Sequence, residues 1–220
     1  TASYNTAVGF EASQENTTGS NNTGIGYKAL EENTTASNNT ALGYEALTAN
    51  TTGSENTGLG RNSLSANTTA ANNTAVGYAS LEQNTTGTSN TSVGAYALEE
   101  NTTADNNTAF GYLALTTNTT GTNNTGIGKD SLRDTSTGDD NTGCGAFTLR
   151  ANSTGANNTA VGRGALIKNT TADSNTAVGR GSLYENTTGA NNVAVGDLAL
   201  DANTTGSRHI AIGKDAMTNQ

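Results

Sequence analysis

Proline is absent from all 220 residues, although average usage of about 5% would supply roughly eleven. Flexible linkers and mucin-like stalks are proline-rich, so neither describes this chain. A chain in which nearly every backbone N–H donates to a ladder has a physical reason to exclude proline. Charged residues make up 13%, well below the roughly 25% of ordinary domains, which excludes the highly charged kind of disorder. Aromatic residues are 5% and apolar residues 32%, enough for a thin core only. The one cysteine, Cys144, closes no intrachain disulfide, so cysteine usage gives no redox compartment. No apolar run approaches the roughly 20 residues of a membrane-spanning helix. The net charge of −9 gives nucleic-acid phosphates no basic surface and disfavours anionic membranes. No signal peptide is visible and the first residue is Thr1, not Met, so the expectation is an excerpt of a longer protein.

What the chain has in abundance is 32 Asn, 42 Thr and 27 Gly, arranged as a repeat. Aligned on its Asn-Thr starts, the unit begins at Asn5, Asn22, Asn39, Asn56, Asn73, Asn90, Asn107, Asn124, Asn141, Asn158, Asn175, Asn192 and His209, always at an interval of 17 residues. The consensus is N-T-A-V-G-Y-x-A-L-x-x-N-T-T-G-x-N. Twelve full units occupy 5–208 and a partial thirteenth 209–220, so residues 1–220 read as a single repeat array. Such regularity points to stacked coils, because one insertion would shift both neighbours out of register. Helical solenoids need about 30 or more residues per repeat, and the unit has no 3.6-residue apolar period. The expected fold is therefore all-β: a parallel β-solenoid, or β-roll, of 17-residue coils, about 13 of them stacked. At about 4.8 Å per coil, thirteen would span about 60 Å.

Within the unit, position 5 is Gly in all thirteen copies, from Gly9 to Gly213, which marks a backbone conformation or close approach that a Cβ would block. Position 4 is apolar throughout (Val8, Ile25, Leu42, Phe110, Cys144, Val161, Ile212) and position 9 is mostly Leu (Leu30, Leu47, Leu115, Leu200). These two positions are expected to supply the core, with Cys144 buried. Strand alternation then places position 2 beside position 4 and leaves small positions 3 and 5 as a smooth opposite face. Position 14 is Thr in all twelve full copies, and position 12 is Asn except at Thr135. Stacked Asn side chains can bond up and down as a ladder, and Asn and Gly suit positive-φ turns.

The position-12 residues also read as N-x-[ST] glycosylation acceptors: Asn16, Asn33, Asn50, Asn67, Asn84, Asn101, Asn118, Asn152, Asn169, Asn186 and Asn203. N-N-T adds Asn21, Asn38, Asn72, Asn106, Asn123 and Asn157, and N-T-S adds Asn90. Glycans need exposed Asn and a ladder needs stacked Asn, so the two readings compete. No catalytic constellation is expected. His209 stands where other copies have Asn and reads as an exposed ladder variant. Glu31, Glu32, Glu99 and Glu100 read as solvated turn residues. The pieces Gly24–Gly26, Gly126–Gly128 and Gly143–Gly145 belong to the repeat, and no Asp recurs as calcium-binding β-rolls require. No cofactor and no metal are expected.

The string NTAVGYxALxxNTTGxN resembles repeats of bacterial and phage tail-fibre proteins, and its first half, as in Asn73–Ser80, is similar to head repeats of trimeric autotransporter adhesins. The resemblance covers 5–217. It implies a β-roll, three chains packed side by side, and an extracellular, cell-surface or virion location; the 17-residue unit is longer than the usual adhesin one. The expected function is a structural shaft or filament segment, not an enzyme, self-associating as a trimer or end to end. Two alternatives accompany it. An adhesin head would bind a surface glycan or host protein, with Tyr27, Tyr44, Tyr78 and Tyr112 at position 6 as its aromatics. An ice-binding solenoid would use the Thr files at positions 13 and 14, such as Thr17 and Thr18 or Thr34 and Thr35.

Overall fold

Every full 17-residue unit but the one with Thr135 closes into one coil through two asparagines whose side-chain amides meet on a single carbonyl. In the computed structural model, which describes residues 2–218, Asn22 Nδ2 at position 1 donates to Ala36 O over 2.8 Å and Asn33 Nδ2 at position 12 to the same oxygen over 3.1 Å. The pattern recurs on Gly53 O from Asn39 and Asn50, both at 2.9 Å, and on Gly155 O from Asn141 and Asn152, both at 2.8 Å. Both side chains also bond along the stack. Where two position-12 Asn are successive, Nδ2 of one donates to Oδ1 of the one a coil earlier, as in Asn50 to Asn33 at 3.0 Å and Asn67 to Asn50 at 2.8 Å. Oδ1 of each position-1 Asn accepts the backbone N–H of the next, as in Asn39 N to Asn22 Oδ1 at 2.9 Å.

The chain divides into two units, Thr1–Asn107 and Thr108–Gln220. The first contains β1 (Thr6–Val8), β2 (Thr23–Ile25), β3 (Thr40–Leu42), β4 (Thr57–Leu59), β5 (Thr74–Val76) and β6 (Thr91–Val93). Each pairs in parallel with the next at an offset of one repeat, so Thr40 faces Thr57 and Leu42 faces Leu59. The second contains β7 (Thr108–Phe110), β8 (Thr125–Ile127), β9 (Thr142–Cys144), β10 (Thr159–Val161), β11 (Thr176–Val178), β12 (Val193–Val195) and β13 (Ile210–Ile212), paired the same way. Each unit is thus a parallel β-solenoid. Only positions 2–4 are strand; the N-T-T-G half is a series of bends. It still bonds coil to coil, as Thr51 N does to Thr68 O over 2.9 Å.

The core corrects one expectation. Position 9 is buried as expected, with Leu30, Leu47, Leu115 and Leu200 fully enclosed. Position 4 is not: Leu42 is 47% and Phe110 54% exposed, while Ala41 and Ala109 beside them at position 3 are fully buried. The strand's inward face is therefore positions 1 and 3, and positions 2 and 4 point out. The cause is interior width. A Cβ built on Gly126 lies 3.3 Å from Leu115 Cγ and 3.3 Å from Ser131 O, so position 3 admits nothing larger than a small side chain. A one-residue change of phase sends every side chain of a strand to the other face.

The backbone is bent tightly to close so small a ring. Leucines at position 9 have φ of 48–55° in every full coil from Leu30 to Leu200, a left-handed conformation costing roughly 1–2 kcal/mol in a non-glycine residue. Full burial of a leucine side chain, about 1.5–3 kcal/mol, offsets that strain. Position 17 is also left-handed, at 56–63°, where Asn is well tolerated. Position 5 has φ of 114–145°, and a Cβ on Gly77 would stand 2.6 Å from Gly94 O. Both the conformation and the contact demand glycine there.

At the one interruption of the position-12 ladder, Thr135 is fully buried and its hydroxyl has no partner. Thr135→Asn restores a donor to Gly138 O and an acceptor for Asn152 Nδ2, so it is expected to stabilise the protein by about 1–2 kcal/mol. Asn67→Ala, which strips three bonds from buried groups, is expected to cost about 2–4 kcal/mol. Urea unfolding of the two variants checks both signs; a destabilising Thr135→Asn would refute the ladder's energetic role.

Candidate functional site

With the interior given over to positions 1, 3, 8, 9, 12 and 15, whatever the chain recognises must meet its outward files. The outward sheet face pairs a file of Thr at position 2, giving way to Val193 and Ile210 in the last two coils, with the apolar file of position 4. No residue in either file is charged, in a chain of net charge −9. Cys144 lies on this face and is exposed, which corrects the expectation that it is a buried core residue; it shares the phase of Leu42 and Phe110.

Position 6 adds an aromatic and basic file beside it. Phe10 stacks on Tyr27 at 5.6 Å between centroids and Tyr27 on Tyr44 at 4.9 Å, with planes within 11°. The Arg61 guanidinium stands 5.4 Å from the Tyr44 ring and 5.7 Å from that of Tyr78. The Tyr44 phenol is raised above its ordinary pKa, chiefly by its side-chain hydrogen bond to Glu45 and then by burial. The four tyrosines singled out from the sequence are exposed, Tyr27, Tyr44 and Tyr78 in the first unit and Tyr112 in the second.

Ten of the position-12 sequon residues, Asn33, Asn50, Asn67, Asn84, Asn101, Asn118, Asn152, Asn169, Asn186 and Asn203, are buried, and Asn16 is half-buried. In the folded coil their amides are enclosed, so a glycosylating enzyme would have to reach them before folding. Asn90 is enclosed as well. The N-N-T residues Asn21, Asn38, Asn72, Asn106, Asn123 and Asn157 at position 17 are exposed; sequence spacing alone does not separate the two sets. The Thr files also separate. Position-13 hydroxyls are spent along the stack, Thr34 Oγ1 donating to Thr51 O and Thr51 Oγ1 to Thr68 O, both at 3.0 Å. Position 14 is exposed in every full coil. The two files therefore do not present one hydroxyl surface.

His209 is half-buried rather than exposed, its backbone N–H joining the position-1 ladder at Asn192 Oδ1, 2.9 Å away. Among the described residues no group of three or more His, Cys, Asp or Glu gathers to hold a metal. Acidic side chains line positions 10 and 11 in the first unit. Glu99, partly enclosed there, is held above the usual carboxyl range, first by burial and then by the carboxylates of Glu82 and Glu100.

Two outcomes follow. At nanomolar protein under native conditions, a maleimide is expected to label Cys144 within about tenfold of its rate in the urea-unfolded chain; strong protection would restore position 4 to the core. For Glu99, the folded pKa lies above the unfolded one, so its ionisation destabilises the fold as pH rises past about 4.3. Glu99→Gln is expected to raise the urea midpoint at pH 7, with the gain vanishing below about pH 4. Equal midpoints at pH 7 would remove the strain assigned to this corner.

Comparison of the chain with protein-family models, with curated proteins and with solved structures found no match.

Proposed function

We propose that the protein is a structural shaft or filament segment of an extracellular or virion appendage, and that it works by associating with further copies of itself. The observation carrying this reading is the bonding between coils. Within each unit, successive coils are joined by backbone bonds, by the position-12 ladder except at Thr135, and by the position-1 ladder. A load along such a stack is shared among many short bonds, each worth about 1 kcal/mol net. The likeness of the repeat to tail-fibre and adhesin repeats supports the same reading.

The surface offered for self-association is the outward face of positions 2 and 4, not that of position 3, which is interior. It repeats once per coil, and a second copy of this chain carries a matching repeat, so the two register along their length. Its lack of charge keeps like charges from being apposed in the contact between two chains of net charge −9, and exposed apolar surface of this kind marks interfaces.

Sedimentation of the protein at micromolar concentration is expected to show at least a dimer, with Cys144 labelling slowed at least tenfold relative to nanomolar protein. Paired Leu42→Lys and Val161→Lys substitutions, at exposed positions, are expected to disperse the oligomer and leave the circular dichroism unchanged. A monomer with unprotected Cys144 across that range would overturn the proposal.

A further inference from the structure

Position 7 carries a side chain in eleven of the thirteen coils; the exceptions are Gly164 and Gly181, in adjacent coils. Two neighbouring side chains are thus missing from one file, and the surface there is a cleft of about 150 Å³. Its geometry follows from the register. The two glycines form the floor. Phe147 and Leu198, the position-7 residues of the flanking coils, close the ends, so the open length is two coils, about 10 Å. Position 6 supplies one wall, with Arg163 and Arg180; position 10 supplies the other, with Ile167 and Tyr184. The Tyr184 ring leans over the vacated space, 3.7 Å from where a Cβ on Gly164 would be.

Charge in this region is unbalanced. Arg180 is neutralised by Asp197 through a two-pronged contact, 2.9 Å from Nε to Oδ1 and 3.1 Å between Nη2 and Oδ2. Lys168 is neutralised by Glu185 at 2.7 Å. Arg163, which lines the cleft, has no ion pair among the described residues, and neither has Arg150 at the Phe147 end. Both guanidiniums stand 5.9 Å from the Phe147 ring, and Lys129 Nζ is 5.6 Å from it. Three cations therefore surround one ring, in a chain whose net charge is −9.

We propose that this cleft binds a small ligand bearing a carboxylate on a six-membered ring. The ring lies on the glycine floor between Phe147 and Tyr184, which offer aromatic faces to its apolar side. The carboxylate faces Arg163, whose planar fork matches a carboxylate's two oxygens, and Arg150 adds a second positive charge nearby. The volume is below the roughly 300–1,000 Å³ of pockets for drug-sized molecules, which restricts the ligand to a single ring. Two sources carry this chemistry, the uronic acid residue of an acidic saccharide and a simple aromatic acid. The inference rests on the cleft alone and stands whether or not the protein is a shaft.

The test is titration of the whole protein with glucuronate and, separately, with benzoate, followed through the Gly164 and Gly181 amide resonances. At least one probe is expected to bind with a Kd on the order of millimolar, and neutral glucose at least tenfold more weakly. Saturation by glucuronate alone assigns an acidic sugar, and by benzoate alone an aromatic acid. Gly164→Leu fills the cleft with a side chain this backbone already accepts at Leu113 and Leu198, where φ is 56° and 54°. It is expected to weaken binding at least tenfold with native circular dichroism and a melting temperature lowered by about a few degrees, the cost of leucine in left-handed backbone; Arg163→Ala is expected to weaken binding as much with an unchanged melting temperature, whereas Arg61→Ala leaves binding unchanged. No response to either probe at 10 mM (about ten times the expected Kd), or a response that survives both cleft variants, would overturn the proposal.

Discussion

The structure depends on one polar constraint, the convergence of two asparagine amides on the carbonyl of position 15. A ring of 17 residues is too small to be held by apolar packing, since it encloses one leucine per coil. What closes it is the fixed spacing N-x10-N-x2-[GA], which places Nδ2 of positions 1 and 12 on the same oxygen in coil after coil. Each amide is buried and nearly saturated. One Nδ2 hydrogen of the position-12 Asn goes to the carbonyl, the other to the previous ladder Asn, and its Oδ1 accepts from the next. Unmade bonds of buried amides cost about 1–3 kcal/mol each, so any register but the 17-residue one leaves many of them unpaired.

Interior size follows from this closure. With two asparagines and a leucine inside, the remaining inward positions 3, 8 and 15 take only small residues: Ala or Gly at most copies, with Ser92 at position 3 and Ser63, Ser80, Ser131, Thr148 or Ser182 at position 8. The position-8 hydroxyls can bond between successive coils, as Ser80 does with Ser92 at 2.7 Å and Ser131 with Thr148 at 2.8 Å. The strain of left-handed backbone at positions 7, 9 and 17 is borne for the same reason, because a ring this short has to turn sharply several times. Leucine burial compensates at position 9 and asparagine's tolerance at position 17. At position 7 only Gly164 and Gly181 avoid the strain, and there the loss of side chains opens the cleft.

The repeat period, the β-solenoid and the glycine of position 5 were legible in the sequence because each depends on spacing, which the sequence displays directly. The Asn ladder at position 12 was legible for the same reason. The strand's phase was not. In Thr-Ala-Val-Gly, the habit of placing the larger apolar residue inward selects valine, and nothing local contradicts it. Alanine wins because the inward space is fixed by distant members of the coil, Leu115 and Ser131 in the case of Gly126, whose proximity appears only once the ring is closed. The same missing information separated buried from exposed sequons, since Asn33 and Asn38 carry equally good motifs on opposite sides of the wall.

Agreement and disagreement among the thirteen copies therefore have different meanings. Among the positions that agree, 1, 9 and 12 place the asparagines and the leucine that close and fill the ring, and 5 is a close backbone approach; the constancy of these four needs no ligand to explain it. Positions that differ, 6, 7, 10 and 11, face outward, where closure imposes no demand. Position 6 runs from aromatic in the first unit, with Phe10, Tyr27 and Tyr44, to basic in the second, with Lys129, Arg163 and Arg180. Copying alone would have made these files uniform. A surface specific to one place along the array can arise only from such departures, and the coincidence of two glycines, two unpaired guanidiniums and two aromatic rings within four coils is the largest of them. The ring gives every coil the same frame, and the outward files give this region its own chemistry.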